Sequence, residues 1–319
     1  MTNQTIIPIF FAIDNKYAPL ASCAIQSIIE NSSKKYNYKI FIIHQELSNE
    51  NKENLASLAT ENFEISFKEM QTQLECITNC LSNRLRCDYF TLTIYFRIFI
   101  PDMFPEFDKG IYLDSDIIVP GDISELYNMN LENNLIGGCL DRSVHGMPEV
   151  VNYYENAIGI SRNEYINSGV LLMNLKEMRE KQFSNEFLRI LNTYHFDSIA
   201  PDQDYLNAMC NGKILYLNEV WDAMPRDGKP ALPNPKLIHY NLFKKPWCYD
   251  NVTYEEYFWK YAKQSKYYKQ LIDYKNNYTE ENKKSDDECL KVLLRQAVII
   301  PDTENTFKKK YESGEKIRV

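Results

Sequence analysis

Three short apolar runs near the N-terminus, residues 6–12, 38–43 and 63–68, alternate with two stretches of helical character. The first run is rich in β-branched and aromatic residues, ends at the polar pair Asp14-Asn15, and reads as a buried strand. Pro19 stands where a helix can begin, and Leu20, Cys23, Ala24 and Ile28 then mark one helical face. Residues 49–61 form the second helical stretch. Strand, helix, strand, helix, strand leaves few topologies, because parallel neighbours need crossovers and the helices must cover the sheet faces. The order predicts an α/β fold with a mostly parallel central sheet flanked by helices. Further strand-like runs occur at 111–113, 135–140, 169–173, 214–217 and 237–240, with a helical stretch over 175–194. Residues 91–100 are apolar apart from Arg97, and the run ends at Pro101.

From residue 249 the texture changes to Tyr, Lys and Asn. A boundary is therefore expected near 250, separating a body (1–250) from a helical, Tyr- and Lys-rich extension (251–319). The net charge is −8, and the acidic excess lies before Lys244. An acidic body excludes nucleic acid as a partner, since that role needs a basic footprint. The eight cysteines include no CxxC pair. Cys76 and Cys80 would share a helix face, but no His or second Cys pair stands at zinc spacing, so reduced thiols are expected. No apolar run approaches the roughly 20 residues of a membrane span. No Lys or Arg precedes the first apolar run, and Asp14 and Lys16 follow it closely. A secretory leader is not expected, and the chain reads as cytoplasmic. Tyr254, Tyr257, Phe258 and Tyr261 recur at helical spacing among lysines. Two readings stay open for them: peripheral contact with the inner face of an anionic membrane, or packing against the body. Glu255, Glu256 and the acidic run 286–288 weigh against the first.

The sharpest chemical feature is Asp114-Ser115-Asp116, which follows a short apolar strand. Residues i and i+2 of an extended segment point to one side, so both carboxylates can face one site at a strand's carboxyl end. Two close carboxylates repel unless a cation or a shared proton intervenes, and a divalent ion bridging to phosphate is one solution. Alone, the pattern fits a solvated strand end equally well. His239 follows the apolar pair Leu237-Ile238; by itself it reads first as a hydrogen-bonded structural residue, but with the two aspartates it would complete an Asp, Asp, His set that favours Mn²⁺ over Mg²⁺. Lys244 and Lys245 then place cationic charge within reach of a phosphate, and Trp247 could close the loop.

At this point the chain resembles glycosyltransferase family 8, the retaining enzymes that include lipooligosaccharide galactosyltransferases and glycogenin. The likeness runs from about Ile7 to Trp247 through an ordered set of motifs. These are Phe11-Ala12-Ile13-Asp14, Tyr95-Phe96-Arg97, Tyr112-Leu113-Asp114-Ser115-Asp116, Asn167-Ser168-Gly169-Val170 with Met173-Asn174-Leu175, Pro201-Asp202-Gln203-Asp204, and His239-Tyr240 through Lys245-Pro246-Trp247. The resemblance implies a GT-A nucleotide-sugar-binding fold, with 1–250 as the catalytic domain. It implies a UDP-hexose donor, galactose before glucose, and a glycan, glycolipid or glycoprotein acceptor. Ala12 and Asp14 match the uracil contacts and Tyr17 the stacking ring, although Asp14 suits a helix N-cap equally well. Arg97 matches the contact to the donor sugar and diphosphate. Asp114, Asp116 and His239 match the metal ligands, for Mn²⁺ or Mg²⁺. Asp141 and Asn167 match the donor-sugar pocket, Gln203 the residue beneath the anomeric carbon, Asp202 its neighbour, and Lys245 the diphosphate lysine. From composition alone, 201–204 is only a helix N-terminus whose acids suit the dipole.

Two departures stand out. Leu242 occupies a place where the family often has glycine beside the phosphate, which makes close approach and a positive φ harder. Lys16 stands where the family favours Asn. An amide such as Gln203 is a poor nucleophile, so attack by the acceptor on the face that UDP leaves is expected, with the departing phosphate as base. Two other classes compete with this reading. A sugar-nucleotide or glycan-binding module without turnover should have lost catalytic groups, yet all the matched ligands are present. An aspartyl-phosphate phosphatase would carry its Asp-x-Asp near the N-terminus, and Asp114 comes late.

Overall fold

The computed structural model describes residues 5–70, 92–144, 146–226 and 228–319. The Cys76–Cys80 pair lies outside them. The central sheet has seven strands: β1 (Ile6–Ala12), β2 (Asn37–His44), β3 (Phe63–Glu69), β4 (Gly110–Leu113), β6 (Ile136–Gly138), β7 (Val170–Met173) and β8 (Ile214–Tyr216), with β5 (Ile117–Ile118) and β9 (Ile238–His239) forming a separate pair. The order is β3-β2-β1-β4-β7-β6-β8, and only β7 runs against the rest. The mostly parallel α/β sheet expected from the alternation is therefore present. Side chains alternate between its faces, Phe10 going to one core and Ile9 and Phe11 to the other.

The direction of β7 places the site. The carboxyl ends of β1, β4 and β6 share one sheet edge, and an antiparallel β7 brings its amino end there. Leu113 lies opposite Val170, and the Asp114 N–H donates to the Gly169 carbonyl at 2.7 Å. Asn167, Ser168 and Gly169 thus meet Asp114 because they precede their strand.

Several local expectations change. The stretch expected as one helix over 175–194 is two helices, Leu175–Glu180 and Phe183–Tyr194, broken where Gln182 takes a left-handed φ of 51°. Asn174 caps the first of these through the Glu177 N–H, which gives the Met-Asn-Leu motif a structural role. Pro101 does not end its segment, because the helix Phe96–Met103 carries it inside. His239 does not follow a strand of the main sheet. It lies within β9, opposite Ile117 of β5.

The C-terminal segment returns to the body. Helix Glu255–Ala262 packs on helix Ala18–Asn31, with Asn31 donating to the Tyr261 hydroxyl at 2.8 Å. Tyr254, Phe258 and Tyr261 are buried in one core with Leu20, Cys23 and Trp247, so this aromatic stripe is packing surface. Phe307 sits against Phe196 and Tyr205, at ring separations of 4.0 and 4.9 Å. Among the described residues no helix is long and apolar enough to cross a membrane. Cys23, Cys139, Cys210 and Cys248 are buried thiols outside any disulfide.

Candidate active site

The segment leaving β4 turns through Asp114-Ser115-Asp116 into β5, and β5 pairs with β9. The Tyr240 N–H donates to the Asp116 carbonyl at 2.9 Å, locking this register. The pairing carries His239 to the two aspartates. One ligand atom each from Asp114, Asp116 and His239 lies within 4.8 Å of the others. Gly169 forms the floor beneath them. A Cβ there would collide with His239 Cε1 and stand 2.7 Å from Asp114 Oδ2, so only glycine leaves room for the cluster.

Two buried cations face the carboxylates. Arg97 donates to Asp114 Oδ1 at 2.9 Å and to the Ser168 carbonyl at 2.6 Å, and its Nε lies 3.3 Å from Asp202 Oδ2. Lys245 Nζ is 2.5 Å from Asp116 Oδ2. Burial alone would raise the Asp116 pKa, but Lys245 and His239 hold it well below the usual carboxylate range. Burial also works against a charge on His239. The Asp116 and Asp222 carboxylates on its two ring nitrogens outweigh that and push its pKa up to about 10.

The opposite end of the cleft is a hydrogen-bond circuit on helix Pro201–Cys210, whose residues are all buried. Gln203 Oε1 accepts from the Ser168 N–H at 3.0 Å, and Nε2 donates to Asp141 Oδ2 at 2.8 Å. The same Nε2 lies 3.3 Å from the Tyr165 hydroxyl. Asp202 accepts from Ser168 Oγ at 2.9 Å, and Asn167 Oδ1 accepts from the Gly169 N–H at 2.8 Å.

One cleft collects most of the residues nominated from sequence: Ala12, Tyr17, Arg97, Asp114, Asp116, Asn167, Asp202, Gln203 and Lys245 all line it. Asp141 joins through Gln203 and His239 through Asp116. Asp14 is tied into a turn, its Oδ1 accepting from the N–H groups of Lys16 and Tyr17 at 2.9 and 3.1 Å. The helix N-cap itself is Tyr17. The side chain of Lys244 is exposed.

Leu242 adopts φ 61°, the left-handed conformation that its side chain disfavours, and its N–H donates to Asn241 Oδ1 at 2.8 Å. The loop keeps the glycine-like backbone without the glycine. Leu242→Ile puts a β-branched carbon at this φ, and should cost about 1–3 kcal/mol in urea unfolding despite equal apolar volume.

Sequence reasoning missed several contributors. Ser168 and Gly169 lie within the Asn167-Ser168-Gly169-Val170 motif, where neither residue type signals a chemical role. Asp222, at 3.0 Å from His239 Nδ1, gave one signal only, an acid between apolar Trp221 and Ala223. Asp204 is also buried, and accepts from Tyr153 Oη at 2.6 Å, Tyr165 Oη at 2.5 Å, and Ser198. Burial raises its pKa to about 6, and these donors pull it only partly back. A carboxyl whose folded pKa exceeds its unfolded value contributes full stability below the unfolded pKa, and loses it as pH rises through the folded one. Thermal melts should therefore show the native chain gaining on Asp204→Asn between pH 7 and pH 4.

A profile described as "Glycosyl transferase family 8" matches residues 8–251. The chain belongs to glycosyl transferase family 8. A relative from Haemophilus influenzae is 29% identical over 220 residues, covering 69% of this chain and 64% of its own, so the family 8 chain spans just under two thirds of that relative. The lipopolysaccharide 1,2-glucosyltransferase of Escherichia coli is 26% identical over 274 residues, covering 76% of this chain and 75% of its own. The fold is that of the galactosyltransferase LgtC, solved with donor and acceptor sugar analogs, at TM-score 0.70 and 24% identity over 82% of this chain and 96% of LgtC. This family 8 chain therefore has the GT-A architecture.

Proposed function

We propose that this protein transfers a hexose from a UDP-sugar to an acceptor hydroxyl on a glycan, with retention at the anomeric carbon. The observation that carries the reading is the convergence of Asp114, Asp116 and His239 over Gly169, with Lys245 on one side and the Gln203 circuit on the other.

Two carboxylates and one imidazole form a donor set that suits Mn²⁺ better than Mg²⁺. The chemistry a divalent ion supplies there is Lewis-acid neutralisation of charge on the departing diphosphate. Lys245, paired with Asp116, adds preorganised positive charge at the same end of the cleft. Arg97 neutralises Asp114 and Asp202 together, and so fixes the distance between the metal side and the sugar side. Tyr17 and Ala12 line the nucleoside end.

Both ends of the Gln203 amide are occupied by protein partners, which orients it and leaves it no base. Asp202 is likewise engaged by Arg97 and Ser168. This supports attack by the acceptor on the face that UDP leaves, with the departing phosphate taking the proton. Trapping a glycosyl adduct on Asp202 or Gln203 would refute that step. Galactose is the donor sugar we propose. The body over residues 1–250 is the catalytic unit, braced by the extension over 251–319. The test is release of UDP from a panel of UDP-hexoses with and without Mn²⁺, before any acceptor is supplied. Mn²⁺-dependent UDP binding without release from any donor would instead favour a binding module.

A further inference from the structure

Behind the cluster, Asp222 closes the short turn Glu219–Trp221. The Ala223 N–H donates to the Leu237 carbonyl at 2.9 Å, and the His239 N–H to the Ala223 carbonyl at 3.0 Å. These bonds lay Asp222 alongside the strand that carries His239. Its side chain is fully buried, with Oδ1 3.0 Å from His239 Nδ1, while the other ring nitrogen, Nε2, lies 3.4 Å from Asp116 Oδ1. The second oxygen, Oδ2, is buried and accepts no hydrogen bond among the described residues. A buried carboxylate with one unpartnered oxygen is a costly way to hold a ring, and a neutral side chain of the same shape would serve packing better.

We infer that Asp222 is a positioning residue for the metal site: by accepting from Nδ1–H it fixes the ring so that Nε2 is the atom offered beside Asp114 and Asp116. The inference rests on reading those three residues as a divalent-cation site. A carboxylate can only accept, so the proton on the distal nitrogen is set. An asparagine amide could donate instead, which permits the opposite tautomer and turns an N–H toward the cation position. On the other side Gly169 faces Cε1, so the ring is held between a floor and an acceptor.

The experiment titrates the full chain with Mn²⁺ alone and reads free Mn²⁺ by electron paramagnetic resonance. Asp222→Asn should weaken Mn²⁺ binding by about 10- to 100-fold in a chain that circular dichroism shows still folded. In a His239→Gln background the same substitution should change affinity by less than about twofold, because its effect passes through the ring. Asp222→Ala carries the same expectations should the asparagine variant fail to fold. Binding by Asp222→Asn within about twofold of the native chain overturns the inference, and so does an equal loss in the His239→Gln background. No Mn²⁺ binding by the native chain overturns the cation site itself, a distinct failure that removes this inference with it.

Discussion

Asp116→Ala lowers Mn²⁺-dependent release of UDP from the preferred UDP-hexose by about a thousandfold or more, the rate equivalent of roughly 4 kcal/mol in the barrier. Asp116 receives Lys245 Nζ at 2.5 Å and faces His239 Nε2 at 3.4 Å, so its carboxylate is the shared partner of two cationic groups. Removing it takes away one ligand and frees both cations to face each other. The fold should survive, since the backbone bond from Tyr240 to the Asp116 carbonyl does not depend on the side chain. The measurement is UDP release across the donor panel, with circular dichroism to confirm folding. Slow hydrolysis of a single donor, lost in the variant, establishes the reaction class and names the sugar. Equal rates in both chains, or release independent of Mn²⁺, would sink the proposed function.

Gly169→Ala should be nearly as damaging from a position with no functional group. The added carbon collides with His239 Cε1, and its 2.7 Å and 3.0 Å approaches to Asp114 Oδ2 and Asn167 Oδ1 leave no direction for relief. Something must shift, and the Asp114 N–H bond to the Gly169 carbonyl ties the backbone in place. Overpacking of this kind costs about 1–3 kcal/mol of stability, and separation of the ligands adds a loss of Mn²⁺ affinity on the order of tenfold or more. Denaturant unfolding and Mn²⁺ titration check the two effects separately. A variant that keeps native stability and native Mn²⁺ affinity would show that the close approach is not needed.

The alternation of apolar runs with helical faces was enough to read the parallel sheet, because burial on both faces leaves a continuous apolar signal. Pro19 was legible from local chemistry, while Asp114 and Asp116 stood out locally as a pair that fitted a metal site and a solvated strand end equally well. Gln203 was not: its four-residue motif reads locally as a helix start, and only the family resemblance gave it a role. The break at Gln182 left no mark in the hydrophobic period, since a left-handed residue there carries a polar side chain. Leu242 went against its own propensity. Its positive φ is imposed by a loop anchored at His239 and Lys245, so tertiary context overrode the local cost.

Sequence by itself determined the alternation of strands and helices and the place of Asp114 and Asp116 after β4, because periodicity and strand ends are properties of neighbours along the chain. The tertiary structure alone decided what those groups touch. The reversal of β7 brings Gly169 beneath Asp114, and the β5–β9 pairing sets His239 against Asp116 and Asp222. Such contacts join residues far apart in the chain, and strand direction and register fix them through backbone hydrogen bonds that carry no side-chain signature.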